Sequence, residues 1–576
     1  MHEYGGVSRT RVRRNTGEWH RMKKPMNARY GPLGFCAGLL ISCGLGGAPS
    51  GLAQVGTVGS VSVRDFGAKG DGVTDDRAAI QAAIDSVTAG AVYLPPAAAG
   101  YLVTPAPDKK RFLTLKSNVQ LIGVGNPVIR VAASSAPYDA VILAPHCDDC
   151  AIQGLTIDSN IAANPMKDKS EVYAHARVEI RFDSGRRIRV EHVTIENSSS
   201  GNSIVSGIPV SDITVSHCIF SNNGDDPNHV AHDHSALYIY ADGAVIDGNL
   251  FTAARRGAPA AVTAIETHGS GISVTGNVIT DYETGMNITG SAPSDSMGNV
   301  VTGNTIRGSL NGIVIWSNTY RNHPKGYGIN GLSVTGNTIT VNQSSYSSPQ
   351  PGAPVAASGV TIHPNSDLPV ANVIVSGNAV VFDLESSSRL ASSASIGIGW
   401  WSALGQTAEN LMIANNVIDN APVSGIRLAA ALKGCRVTGN IIRNAGSSLD
   451  TVIAAAYKTP IFIAGAPSND LDIADNQIVD SLEPSRMTSG LFLATSKGTS
   501  SGVRVRNNAV AVLAANKVPF TSYVQIGDDN TRPLIMAAWD DFVVPSRVVA
   551  AGSEVIDSRN GVLWRAGSEG RMLKQR

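Results

Sequence analysis

Val274-Thr275-Gly276-Asn277, Val301-Thr302-Gly303-Asn304, Val334-Thr335-Gly336-Asn337, Val375-Ser376-Gly377-Asn378 and Val437-Thr438-Gly439-Asn440 are one phrase written again and again down the chain. Looser copies centre on Asn249, Asn416, Asn476 and Asn508. Successive copies lie from about 24 to about 41 residues apart, so the repeating unit is one coil that carries inserted loops of different length.

A second phrase precedes each copy: a glycine or other small residue, then apolar-x-apolar-x. It reads Leu237-Tyr238-Ile239-Tyr240, Ile265-Glu266-Thr267-His268, Met286-Asn287-Ile288-Thr289, Ile313-Val314-Ile315-Trp316, Val360-Thr361-Ile362-His363, Ile398-Gly399-Trp400-Trp401 and Ile426-Arg427-Leu428-Ala429. Period two marks strands. Short strands turned by Gly-Asn, each paired with its counterpart one coil away, predict an all-β fold, a right-handed parallel β-helix (solenoid). The asparagines then stack inside the turn, where backbone groups would otherwise lack partners. About twelve coils at the inter-strand spacing make a rod roughly 55 to 60 Å long.

A solenoid needs a covered end. Asp75-Asp76-Arg77 opens a stretch in which Ile80, Ile84 and Val87 recur at helical spacing, which predicts an N-terminal capping helix with acidic residues in its first turn. Ala91-Val92-Tyr93-Leu94-Pro95 then reads as the first strand.

The stretch Val63-Arg64-Asp65-Phe66-Gly67-Ala68-Lys69-Gly70-Asp71-Gly72-Val73-Thr74-Asp75-Asp76, continuing through Ala79-Ile80-Gln81-Ala82-Ala83-Ile84, resembles the entry segment of the pectate-lyase-like (rhamnogalacturonase/epimerase-like) β-helix superfamily. That superfamily holds polygalacturonase-type and rhamnogalacturonase-type hydrolases, polysaccharide lyases, alginate epimerases and phage tailspikes, so the resemblance implies the fold more than a reaction. It covers residues 61 to 96, and the asparagine coils extend it to about residue 515. The paired-aspartate and Arg-x-Lys motifs of polygalacturonases are missing, with Gly224-Asp225-Asp226 and Thr267-His268-Gly269 as fragments only. The Asp-Pro-His phrase of alginate epimerases is missing too.

Composition agrees with a packed, turn-rich β body: 59 glycines, 5% aromatic and 16% charged residues. With 46 basic and 46 acidic side chains there is no net field to draw the protein to nucleic acid or an anionic membrane. Residues 1–54 read as a leader. Met22-Lys23-Lys24 starts a basic patch, Phe35 to Leu45 is apolar but too short for a membrane span, and Gly51-Leu52-Ala53 offers a cleavage site before Gln54. Translation from Met22 or Met26 fits this pattern, as does lipoprotein processing at Leu40-Ile41-Ser42-Cys43. The mature protein is therefore expected in the periplasm or outside the cell. Residues 55–517 form the β-helix and residues 518–576 a C-terminal β tail, in which Ala551 to Asp557 and Gly561 to Arg565 read as a hairpin.

Past the leader stand four cysteines, Cys147, Cys150, Cys218 and Cys435. His146-Cys147-Asp148-Asp149-Cys150 lacks the second cysteine pair a tetrahedral metal site needs, and a local disulfide is the better reading.

Strand side chains alternate faces, so the second and fourth positions of the second phrase point outward. One outward row is Arg181, Tyr238, Glu266, Asn287, Val314, Thr361, Gly399 and Arg427. The other is Asp183, Tyr240, His268, Thr289, Trp316, His363, Trp401 and Ala429. Tyr238, Tyr240, Glu266 and His268 fall into a square, and a strip of Tyr, Trp, His, Glu and Asn suits a groove for sugar rings and hydroxyls.

The loop before the square holds Asp225, Asp226, His229, His232, Asp233 and His234. A carboxylate such as Asp233 over Glu266 would supply the two acids of glycoside hydrolysis, with His268, Tyr240 and His234 around them. Tyr238, Asn287, Trp316, His363, Trp401, Arg181 and Asp226 would bind the polysaccharide. No metal or cofactor is called for, although the acidic loop also suits calcium. The competing chemistry is β-elimination or C5-epimerisation on a uronic acid polymer, with His268 or Tyr240 as base. It needs a cation, and both rows lack lysine, so hydrolysis ranks first. A carbohydrate-binding fibre is the non-enzymatic alternative: an enzyme of this design is expected to be a monomer, a fibre a trimer.

Overall fold

The computed structural model describes the chain from Thr57 onward, apart from several internal stretches, the longest being 167–176, 225–234, 318–327, 384–394 and 538–553. The leader assigned to residues 1–54, with Cys43, lies outside the described residues. Among the described residues no helix is long and apolar enough to cross a membrane.

The fold is a right-handed parallel β-helix. Each coil adds one strand to a face ladder, one to a second ladder and one to a third. Successive face strands are Ser235–Asp242, Thr263–His268, Thr284–Gly290, Asn311–Ser317 and Ser358–Pro364. The second and third ladders are represented by Ser273–Thr275 and Val278–Thr280. The third ladder alone is a 15-stranded sheet. The rod is accordingly about 67 Å long, longer than the repeat phrases predict, because coils before Asn249 lack the full Val-Thr-Gly-Asn phrase.

The predicted asparagine ladder is present. Asn249, Asn277, Asn304, Asn337, Asn378, Asn416, Asn440 and Asn476 each donate from Nδ2 to the next Oδ1 at 2.8–3.0 Å, the last to Asn508. The same oxygen takes the preceding coil's backbone N–H, as in Asn304 N to Asn337 Oδ1 at 3.0 Å, while Asn337 Nδ2 also reaches Val301 O at 3.0 Å. One side chain thus serves several turn groups that water cannot reach. Cys218 heads the ladder, its N–H donating to Asn249 Oδ1 at 2.9 Å and its thiol to Val190 O at 3.5 Å.

A second column explains the small residue before each face strand. A Cβ at Gly312 would lie 2.5 Å from both Gly359 O and Ile339 Cγ2, and one at Gly359 would lie 2.3 Å from Val380 Cγ1. Gly285, Gly397 and Gly425 are crowded in the same way by Ile306, Ile418 and Ile442. The face strand is therefore pressed onto the apolar third ladder as closely as backbone allows.

The helix runs Arg77–Ser86 and buries Ile80, Ala83 and Ile84 over the first coils. The expected acidic first turn is not found: Asp75 and Asp76 both precede Arg77. Asp76 instead accepts from Lys69 N at 2.6 Å and Gly70 N at 2.9 Å, which fastens the entry segment rather than the helix dipole. Nor is Ala91–Leu94 the first strand. It belongs to Val87–Leu94, which pairs in parallel with the earlier strand Thr57–Ser62. The Cys147–Cys150 disulfide is formed, and the tail hairpin pairs Glu554–Asp557 antiparallel with Val562–Ala566.

Asn337→Ala removes the acceptor for two Asn304 donors and the partner of Val301 O. It should cost about 3 kcal/mol or more, read as a lowered midpoint in denaturant unfolding. A second test concerns Glu179, fully buried and accepting from Ser159 Oγ with Ser203, Tyr138 and Tyr282 around it. Burial pushes its carboxyl up to about 8. A raised folded value means stability is full below the ordinary carboxylate value of 4.5 and falls as pH rises toward 8, with a slope near 1.4 kcal/mol per pH unit. Glu179→Gln should flatten that part of the stability profile.

Candidate functional site

The register predicted for the face holds. Tyr238 pairs with Glu266 and Tyr240 with His268, then Glu266 with Asn287 and His268 with Thr289, and onward to Val314 and Trp316, Thr361 and His363. Because each coil repeats the same two-residue alternation, the four residues of the square come to lie side by side.

Their contacts are specific. Ser235 Oγ donates to Glu266 Oε2 at 2.6 Å, and Glu266 Oε1 lies 2.9 Å from His268 Nε2. The Tyr240 ring stacks parallel to the His268 ring, with centroids 4.9 Å apart and planes 1° apart, and Tyr238 leans on the same imidazole at 4.9 Å and 41°. The expectation that the four residues of the square face open water needs correction at one of them: His268 is only 3% exposed, roofed by its neighbours, while Glu266 and both tyrosines remain partly open. Tyr238 rests on an apolar pad of Ala140, Val178 and Val205.

One coil on, Asn287 Nδ2 donates to Thr263 Oγ1 at 3.3 Å, and its Oδ1 accepts from Trp316 Nε1 at 3.3 Å. Trp316 stacks on His363 at 4.8 Å and 26°. Loss of water around His363 pulls its imidazole down to about 4.

The two rows depart from the expected order at both ends. Arg181 does not adjoin Tyr238: the coil of Val205 stands between them, and Arg181 is paired with Asp183 at 2.7 Å. Farther along, Val314, Thr361 and Arg427 keep the outward register but are covered and buried, and Gly399 leaves no room for a side chain beside Arg427 O. The Arg427 guanidinium lies over the rings of Tyr457 and Phe462 at 4.7 and 5.4 Å, and burial lowers it to about 10. Asp226, Asp233, His234 and Trp401, with Asp225, His229 and His232, lie outside the described residues. Among the described residues no three His, Cys, Asp or Glu side chains gather as a metal site. Sequence reasoning passed over Ser235 and Thr263. Both precede the small residue that opens a face strand, a position where Ser, Thr or Asn recurs as Thr284, Asn311, Ser358 and Ser424.

The solenoid with its aromatic and carboxylate strip along one ladder is the setting in which part of the chain matches a pectate-lyase-like family model. The family model described as rhamnogalacturonase A/epimerase, pectate lyase-like, matches residues 60–287. Mannuronan C5-epimerase AlgE6 of Azotobacter vinelandii is 36% identical over 148 residues, 24% of this chain and 16% of that protein. Alginate lyase 7 of the same organism is 39% identical over 109 residues, 17% of this chain and 12% of that protein. The matched stretch is thus under a fifth of each relative's length. Among solved structures, the tailspike protein of E. coli bacteriophage HK620, in complex with a pentasaccharide, superimposes with a TM-score of 0.55 at 14% identity, covering 89% of this chain and 90% of that one.

His363 should titrate with a midpoint near 4, followed by NMR through its ring protons. Because its folded value lies below the ordinary 6.5, the stability it contributes is present above 6.5 and is lost as pH falls toward 4.

Proposed function

We propose that the protein is an exported enzyme acting at C5 of a uronic acid polymer bound along the face ladder, by epimerisation or β-elimination. The observation that carries this reading is the array Tyr240, His268, Glu266, Ser235: a phenol stacked on an imidazole whose other partner is a carboxylate held by a hydroxyl. The epimerase and lyase relatives support it. Within one coil of His268, the two outward rows hold one carboxylate among the described residues, Glu266, whereas hydrolysis generally needs a pair. Asp233, the partner named for that role, lies outside the described residues.

Tyr240 is the group that meets C5. It acts as the phenolate, and the His268 ring stacked on it, with Glu266 hydrogen-bonded behind, fixes where it stands. The C5–H bond breaks, the proton goes to the Tyr240 oxygen, and the electron pair spreads into the sugar carboxylate. A proton taken from water on the other face gives the epimer, the Tyr240 proton passing to solvent; departure of the C4 oxygen, protonated by the Tyr240 hydroxyl as its bond breaks, gives the unsaturated product. Arg181 is the nearer of the two arginines in the rows and the group that would oppose the substrate's charge. His268 and Glu266 are positioning residues.

In D2O the wild type should incorporate deuterium at C5 of an alginate chain. Tyr240→Phe should lower exchange by at least 100-fold, within the usual range for a proton-transfer group, and Glu266→Gln by about 10- to 100-fold. New reducing ends from neutral glycans, with no deuterium uptake and no unsaturated uronate, would establish hydrolysis instead.

A further inference from the structure

We infer that Trp316, backed by His363 and braced by Asn287, is an uncharged stacking subsite that makes the protein depend on substrate chain length. The inference rests on the proposed uronate reaction for the identity of the sugar, but not for the existence of the platform.

Three observations carry it. First, Trp316 stands in the same row as Tyr240 and His268, two coils beyond His268 across Thr289, an axial distance of about 10 Å. A chain lying along the ladder and centred on Tyr240 therefore reaches Trp316 only with sugars beyond the reacting one. Second, the indole is held rather than loose: its Nε1 donates to Asn287 Oδ1 on the preceding coil at 3.3 Å, and Asn287 is held in turn by Thr263. The ring thus leans back toward Glu266 and is pre-ordered, which lowers the entropy cost of stacking. Third, the backing ring brings no charge. His363 lies 4.8 Å from the indole in a desolvated setting. A neutral aromatic pair takes the C–H face of a pyranose and ignores its carboxylate.

The neighbouring outward positions, Val314 and Thr361, are buried and small, so nothing in the first row competes with the ring. The site is therefore specific for ring shape and chain length, with charge read elsewhere in the groove.

The experiment uses the full chain with Tyr240→Phe to stop turnover, and an alginate hexasaccharide and disaccharide as probes. Titration with the hexasaccharide should shift tryptophan fluorescence; adding Trp316→Phe should remove that shift and adding Trp316→Ala should weaken binding about tenfold. The disaccharide should bind equally with or without Trp316. In the active enzyme Trp316→Ala should raise KM for the hexasaccharide and act far less on kcat.

A fluorescence shift that survives Trp316→Phe, or equal weakening for both lengths, overturns the inference. Were the uronate reaction itself wrong, the same titration with a neutral 1,4-linked hexasaccharide would still decide the platform: a Trp316-dependent shift upholds it, and no shift with either sugar removes it.

Discussion

The asparagine ladder inside the Gly-Asn turn is the interaction on which the rest depends. A parallel solenoid has no hairpin to set its register, and a slip of one residue would exchange the inward and outward faces of every strand after it. The ladder prevents the slip, because an Oδ1 that takes both the N–H and the Nδ2–H of the coil before it fits one alignment only. The glycine column sets the other coordinate, the distance between the face strand and the third ladder. With rotation and depth both fixed, any pair of residues at matching positions on adjacent face strands must be neighbours.

That rigidity lets the face hold groups that solvent would otherwise separate. Glu266 and His268 in water would gain little from each other. Here Ser235 fixes one carboxylate oxygen, Tyr240 and Tyr238 cover the imidazole, and the strands fix both backbones, so the pair costs little to order. The same close packing has a cost elsewhere: Glu179, in an earlier face strand, is buried with hydroxyls rather than a cation and is driven toward its neutral form.

Much of this was legible in the residues themselves. Alternation of period two, with a small residue ahead of it and Gly-Asn after it, is enough to align Tyr238 with Glu266 and Tyr240 with His268. The alignment fails where those marks are absent. Ile204-Val205-Ser206 has no leading glycine and runs without a break into the second ladder as Ile204–Ser216, so the pattern does not mark its coil and places Arg181 beside Tyr238. Cys218 takes the place of an asparagine, and nothing in its composition announces that. Burial of Thr361 and Arg427 also escapes alternation, which tells which way a side chain points but not what lies over it.

The positions at which the coil length varies say why site residues are harder to read than the scaffold. Between the second and third ladders the chain spends two residues, as between Thr275 and Val278 or Thr302 and Thr305. Extra length enters at the two edges of the face strand: before Ser235, before Thr263 and before Ser358, and after Gly290, Ser317 and Pro364. An insertion in the Gly-Asn turn would break the ladder at once. At the face edges it adds only loop-closure entropy, which grows slowly with length. Variation is therefore steered to the walls of the groove, where it changes what the site admits without disturbing the coils that hold Tyr240, Glu266 and His268 together.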